Sequence, residues 1–330
     1  VLRLNFFLKA LFCMTLTGAI MGSSPRASAE TSITLIGTGP SSANDWPIII
    51  GKAKGFFKEA GIALDHLSAS STAAAIQQIA AGSGDIASGG LTDPMRAIDQ
   101  GAKVSILRIH SQVPPYTVWA KPALKTFADL RGKIVILGGA KDITRIYFDR
   151  MVIPNNLKKG DYDLIYAGTT PARYAALQSG AVDAAILLPP VSFRAEQAGF
   201  SLIGRLSDYV KDMPFTGYAV NTKWAKENRS TVIAFLTAYQ KSVDWFYTDA
   251  NKSEAVKMLV DETKLPAADA EMTYDYLRSI NIFSPKGLVT QEALATLVRA
   301  MADEGDLQGA ADPARFVDPE IAALNAEVQK

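Results

Sequence analysis

Apolar and polar positions along this chain follow two rhythms in turn. Residues 32–39 (Ser-Ile-Thr-Leu-Ile-Gly-Thr-Gly) alternate with a period of two and predict a strand. A polar turn over 40–45 leads to Trp46-Pro47 and an apolar stretch to Ala53, with Pro47 suited to the first turn of a helix. A strand follows over 62–67. The same reading predicts helices at 92–100 and 143–151 and strands at 103–110, 116–120, 134–137 and 163–166. Strands alternating with helices predict an α/β fold with largely parallel strands. After a last strand at 215–221 the rhythm changes. Val232, Ile233, Phe235, Leu236, Tyr239, Val243 and Phe246 recur at three- to four-residue spacing, so the rest is mostly helical. Asn251 with Glu254 suggests a capping pair, and Asp318-Pro319 the start of a terminal helix.

One pattern occurs twice. Ser71-Thr72 leads through a short helix to the Gly82-Ser83-Gly84 turn, Asp85 and an apolar strand; Thr169-Thr170 leads likewise to Ser179-Gly180, Asp183 and an apolar strand. The hydroxyl-to-Asp spacing is the same in both, 71 to 85 and 169 to 183. Two similar α/β lobes are expected, and no low-complexity linker separates them. Strands 116–120 and 215–221 bracket the middle section as its two crossings. The expected division is a leader at 1–29, a first lobe at 30–117, a second at 118–217, and a return to the first at 218–330 with its helical tail packed there.

The chain of 330 residues is 48% apolar and 20% charged, the balance of a globular protein long enough for two domains. Its net charge of +1 includes residues 1–29, which hold Arg3, Lys9 and Arg26 and no acid. Without them the 34 basic and 33 acidic side chains become 31 and 33, so nucleic acid is not an expected partner. Arg3 and Lys9, the apolar run from Ala10 to Met21, and Ala27-Ser28-Ala29 read as a secretory signal cleaved after Ala29. The one cysteine, Cys13, falls inside it, leaving the mature chain without disulfides or a thiol nucleophile.

Candidate chemistry sits where strands run into helices, because free N–H groups at a helix start attract electronegative groups. Four such turns are rich in Gly, Ser or Thr: 40–46, 70–72, 138–144 and 168–170. Each alone reads as ordinary capping; two per lobe at matched positions read as a cradle. The segments 88–93 and 187–190 follow the repeat strands at the same offset. Asp45 either caps the Pro47 helix or receives a ligand amine, and Trp46 is a core residue or a stacking surface. Trp46, Tyr218 and Phe193 leave room for an aromatic ring. Asp85 and Asp183, at the strand starts, belong to the sheet end away from the cleft and read as structural. Replacing both Thr169 and Thr170 by Ala is expected to weaken binding with little effect on the empty protein. An enzyme is poorly supplied: His66 and His110 stand apart, and no nucleophile elbow, phosphate loop or zinc-binding helix motif occurs.

Three segments carry a resemblance: Ala53-Lys54-Gly55-Phe56-Phe57-Lys58-Glu59-Ala60-Gly61-Ile62, Gly82-Ser83-Gly84-Asp85-Ile86-Ala87 and Phe127-Ala128-Asp129-Leu130-Arg131-Gly132-Lys133. With them, residues 32 to about 250 resemble the type 2 periplasmic substrate-binding proteins of ABC importers. The likeness is to the nitrate/sulfonate/taurine-binding and thiamine-pyrimidine-precursor-binding branch. It implies two Rossmann-like lobes joined by two hinge strands, with a small organic anion or aromatic solute held between them. Contacts would come from Ser42, Asn44, Asp45, Trp46, Ser71, Thr72, Ser88 and Gly89 in the first lobe. The second would add Lys141, Thr144, Arg145, Thr169, Thr170 and Pro190, with Tyr218 beside them. It further implies a periplasmic monomer without a cofactor, whose partners are an ABC permease and its ATPase. Two alternatives stand beside it: an enzyme of the same fold acting on a pyrimidine or related molecule, and a ligand-sensing adaptor for a membrane receptor.

Overall fold

The computed structural model describes residues 30–38, 43–210 and 213–328. The expected leader, and Ser42 among the expected contacts, lie outside the described residues. Along the chain, β1 (Thr31–Thr38) is followed by α1 (Trp46–Ala53), α2 (Phe56–Glu59), β2 (Ile62–Ala69), α3 (Thr72–Ala80), β3 (Ile86–Gly90), α4 (Thr92–Asp99) and β4 (Val104–Ser111). The chain then enters a second sheet with β5 (Thr117–Ala120), β6 (Ile134–Leu137), α5 (Ile143–Val152), β7 (Asp163–Tyr166), α6 (Thr170–Gln178), β8 (Ala184–Leu187), α7 (Val191–Gln197) and β9 (Ser201–Arg205). It returns through β10 (Thr216–Asn221) and ends in α8 (Thr222–Glu227), α9 (Arg229–Phe246), α10 (Lys252–Thr263), α11 (Ala267–Ser279), α12 (Gln291–Asp303) and α13 (Pro319–Glu327).

The strand orders are β2-β1-β3-β10-β4 and β7-β6-β8-β5-β9. The two sheets are therefore copies of one plan. In each, parallel strands surround one antiparallel strand that belongs to a crossing: β10 between β3 and β4, β5 between β8 and β9. The expected crossing strands are thus interior members of the two sheets, and the described residues that lie between the sheets are 112–116 and, on the return, 206–210 and 213–215. An interior strand has both edges paired, which fixes each end of a connection firmly.

Burial explains the helical tail. α9, α10, α11 and α13 place Val232, Phe235, Leu236, Tyr239, Leu259, Tyr274, Leu277 and Ile321 against Leu35, Leu107 and Val220 of the first sheet. α12 departs from the expected packing. Its Leu294, Leu297, Val298 and Met301 share an apolar core with Met95 and Ile109 of the first lobe and with Val118, Ile146 and Met151 of the second. The tail therefore bridges the lobes instead of serving the first alone. Asp318 accepts from the N–H groups of Glu320 and Ile321 and starts α13 as expected, whereas Asn251 makes no side-chain cap.

Candidate functional site

The repeated aspartates do the same structural work twice. Asp85 Oδ2 accepts from Thr34 N at 2.8 Å while Asp85 N donates to Thr34 O at 3.0 Å. Asp183 Oδ2 accepts from Ile134 N at 2.9 Å while its own N donates to Ile134 O at 2.8 Å. Each carboxylate joins its strand to the first parallel strand of the sheet, at the end away from the helix-start hydroxyls. Lys121 adds an ion pair to Asp183 at 2.8 Å.

At the other end, the turns following β2 and β7 are built alike. Ser71 Oγ accepts from Ala74 N at 3.1 Å, and Thr169 Oγ1 from Ala172 N at 3.4 Å. Both residues are exposed N-caps. Thr72 fills the space over Gly89, where a Cβ would come within 2.5 Å of its Cγ2, so the glycine at the end of β3 is a steric requirement. Ser88, just before it, is buried, and its carbonyl accepts from Thr38 Oγ1 at 3.4 Å.

Thr170 is held differently. Its Oγ1 accepts from Arg173 Nη2 at 2.8 Å. Arg173 is 2% exposed and also donates to Ile186 O at 2.7 Å, Ala167 O at 3.1 Å and Gly168 O at 3.3 Å. The Tyr116 hydroxyl lies beside it, and among the described residues no carboxylate is hydrogen-bonded to it. Burial pulls the Arg173 pKa down from its ordinary value, opposed by Tyr116 and Asp142. This side chain, from the first full turn of α6, fixes the whole 167–170 turn from beneath. Because Thr170 carries one of its bonds, removing this hydroxyl is expected to cost the empty protein more than removing that of Thr169.

The turn before α5 is closed by its own side chains. Asp142 Oδ1 accepts from Thr144 N at 2.9 Å and Thr144 Oγ1 at 2.5 Å, and Gly138 N donates to Thr144 Oγ1 at 2.9 Å. Thr144 is 1% exposed and fully engaged, which makes it a positioning group for this turn, not a ligand contact. Arg145 is buried, and its guanidinium is engaged by Asp149 at 2.7 Å. Lys141 is exposed at the tip of the turn, and its carbonyl accepts from Arg96 of α4.

Two aromatic expectations are corrected. Trp46 is fully buried between Phe246 and Tyr274, at ring distances of 5.4 and 5.5 Å, and its indole donates to Ala255 O at 2.9 Å. Tyr218 is buried under α9, stacked on His110 at 5.0 Å and edge-on to Tyr239 at 5.2 Å. Both belong to the first lobe's core. Asn44 and Asp45, in the turn after β1, are half-buried. Asp45 makes no side-chain cap to α1. Burial raises the Tyr218 pKa well above its ordinary value, with Tyr239 and the Asp45 charge adding to it. Pro190 is half-buried after β8, and the Pro189–Pro190 bond is cis.

The strand-end edges of the two sheets meet. A Cβ on Gly90, at the end of β3, would lie 3.6 Å from Ile143 at the start of α5. This approach sets the end of β3 against the start of α5 at the boundary between the lobes. Arg96, Tyr116 and Asp142, which organise this boundary, were not among the expected contacts; only Asp93-x-x-Arg96 had a local signal, the spacing of a helical ion pair.

Two matched lobes with their strand-end turns facing across a double crossing define a type 2 periplasmic binding protein fold. Residues 42–253 match the NMT1/THI5-like family, and the chain belongs to it. A protein of Bacillus subtilis (strain 168) named as a binding protein, YtlA, is 22% identical over 288 residues, 84% of either chain. Among solved structures, the periplasmic aliphatic sulphonate binding protein SsuA from Escherichia coli superimposes with a TM-score of 0.71 at 18% identity, covering 90% of this chain and 100% of its own. The desulfurization enzyme DSZB superimposes with a TM-score of 0.66 at 15% identity, covering 90% of this chain and 100% of its own.

Proposed function

We propose that this protein is the solute-capturing component of an ABC importer, working in the periplasm and closing its lobes on a small organic anion, sulfonate- or carboxylate-like, for delivery to the permease. The polarity of the grip carries the reading. Ser71, Thr169 and Thr170 each have the hydroxyl oxygen engaged by an N–H donor, so each hydroxyl hydrogen is left to donate outward. Helix starts at α3 and α6 add free backbone N–H groups of the same polarity. Arg173 supplies a buried positive charge that, among the described residues, bonds to carbonyls and a hydroxyl and to no carboxylate. Such a surface favours a solute rich in acceptor oxygens and disfavours a cation. Asn44, Asp45, Ser71, Thr72, Ser88, Gly89, Lys141, Thr169, Thr170 and Pro190 are its proposed lining.

Titration calorimetry against alkanesulfonates, aromatic and aliphatic carboxylates, nitrate and pyrimidines tests this reading. Binding of at least one acceptor-rich anion, recovered chemically unchanged after the protein is denatured, is the expected result. Conversion of the solute would instead favour the enzyme reading, which the fold shared with DSZB keeps in view. Silence across the whole panel would remove the anion-receptor reading.

A further inference from the structure

Arg96 of α4 crosses from the first lobe to the second. Its Nη1 donates to Asp93 at 2.9 Å and its Nη2 to Asp306 at 2.7 Å, while Nη2 also reaches the Lys141 carbonyl on the opposite lobe. Asp306 follows α12, the helix whose apolar face is shared by both lobes. Asp142, in the same turn as Lys141, adds its charge to that of Asp93. One guanidinium, 13% exposed, therefore serves a junction bearing three carboxylates. The charged groups acting on Asp93 are Arg96 on its own helix, Asp142 on the turn before α5, and Asp306 after α12. A cavity of about 220 Å³ adjoins them, lined by Lys141, Asp142, Arg145, Lys159, Glu304 and Asp306.

We propose that this junction is a proton-operated latch between the lobes: taking up a proton at Asp93 removes its repulsion with Asp142 and Asp306 and favours the state in which the lobes touch. Arg96 supplies the attraction and the surplus carboxylate the pH dependence. Burial raises the Asp93 pKa to about 6, and the Asp142 and Asp306 charges add to that against Arg96. A carboxyl whose pKa is higher with the lobes together is protonated more in that state. Closure is therefore favoured as pH falls through this range and disfavoured as it rises. If parting the lobes returns Asp93 to its ordinary value, lowering pH from 7.5 to 5.5 raises the closed-to-open ratio by about fourfold at most.

The latch rests on the reading of the molecule as a clamp, and an assay without ligand separates the two. Spin labels at Gln77→Cys on α3 and Ala175→Cys on α6, both exposed positions, report the distance between lobes in a chain also carrying Cys13→Ser. The expected result is two distance populations whose short-to-long ratio rises severalfold from pH 7.5 to 5.5. In Asp93→Asn the ratio stays flat, and in Arg96→Gln the short population falls at both pH values. A ratio indifferent to pH in the parent chain, or an undiminished response in Asp93→Asn, overturns the latch alone. A single distance at every pH without ligand also overturns the latch, whereas the clamp itself falls only if that distance stays unchanged when a solute that binds in the calorimetry is added.

Discussion

Removing the Thr170 hydroxyl while keeping its shape separates the roles of the two neighbouring threonines. In Thr170→Val, one N–H of Arg173 loses its acceptor, and Arg173 is 2% exposed, so water has poor access to replace it. Leaving a buried donor of a charged group unpaired costs about 1–3 kcal/mol. Thr169→Ala loses only an exposed cap whose bond is already 3.4 Å long, a cost of about 0.5 kcal/mol. In a chain of this size the first figure corresponds to a thermal midpoint lower by about 2–6 °C. Urea unfolding of the empty protein, extrapolated to water, measures it directly. Thr170→Ser restores the acceptor without the methyl group and is expected to recover most of the loss. Ligand affinity should fall in Thr170→Val and Thr169→Ala alike, because each removes an outward-pointing hydroxyl. Equal stability losses for Thr170→Val and Thr170→Ser would show that the methyl packing matters and the bond to Arg173 does not. An unchanged empty protein in Thr170→Val would refute the pairing altogether.

Two further outcomes follow from groups placed in the first lobe's core. Trp46→Phe loses the bond to Ala255 and part of a filled volume, so chemical denaturation should show a loss of about 2–3 kcal/mol with ligand affinity unchanged; weakened affinity at full stability would return Trp46 to the cleft. His110 is 2% exposed, neither ring nitrogen has a hydrogen-bond partner among the described residues, and burial followed by the Arg108 charge pushes its pKa down from 6.5 to about 3. The unfolded chain then binds the extra proton, so this contribution is intact above the unfolded pKa and declines as pH falls, by about 1.4 kcal/mol per pH unit. In His110→Phe the stability profile should be flatter by that slope between pH 6 and 4, on the order of two units; an identical slope in both proteins would mean that the buried ring is protonated in the fold.

What could be read along the chain was whatever has a local period. The strands at 134–137 and 163–166, the helix starts at Ser71 and Thr169, and the matched aspartates all follow from short-range pattern, and the structure places them as expected. Residues whose role depends on a distant partner were less legible. Trp46 heads an apolar helix whether its ring meets a ligand or the side chains of α9 and α11, and the choice is made by Phe246 and Tyr274, some two hundred residues on. Arg145 and Arg173 lie near the turns of the second lobe, where cations for an anion were sought. One is consumed by Asp149, one helical turn away, and the other by three carbonyls, a hydroxyl and its neighbour Tyr116. α12 has an apolar stripe like that of α9, and nothing in such a stripe says that two lobes share it.

The aromatic contacts tie the crossings to the grip. Tyr116 ends the first connection, and its ring meets Phe215, at the end of the second, edge-on at 5.4 Å. Tyr147 of α5 packs on both rings, at 5.8 and 6.3 Å, and donates to Pro214 O at 3.0 Å. The two connections are therefore fastened to each other and to the helix that begins beside the cleft. The Tyr116 hydroxyl also touches Arg173, which holds the 167–170 turn. A bend between the lobes that displaced Tyr116 would pull on the same guanidinium that orients Thr170. Because tightly packed rings and a fully bonded buried cation resist small deformations, this part of the second lobe should move as one body with its end of the connection. Leu206, just after β9, donates its N–H to Tyr116 O at 2.9 Å and belongs to the same body, so on the proposed reading a ligand bound at Thr169 and Thr170 would be felt at the first connection through Arg173 and Tyr116.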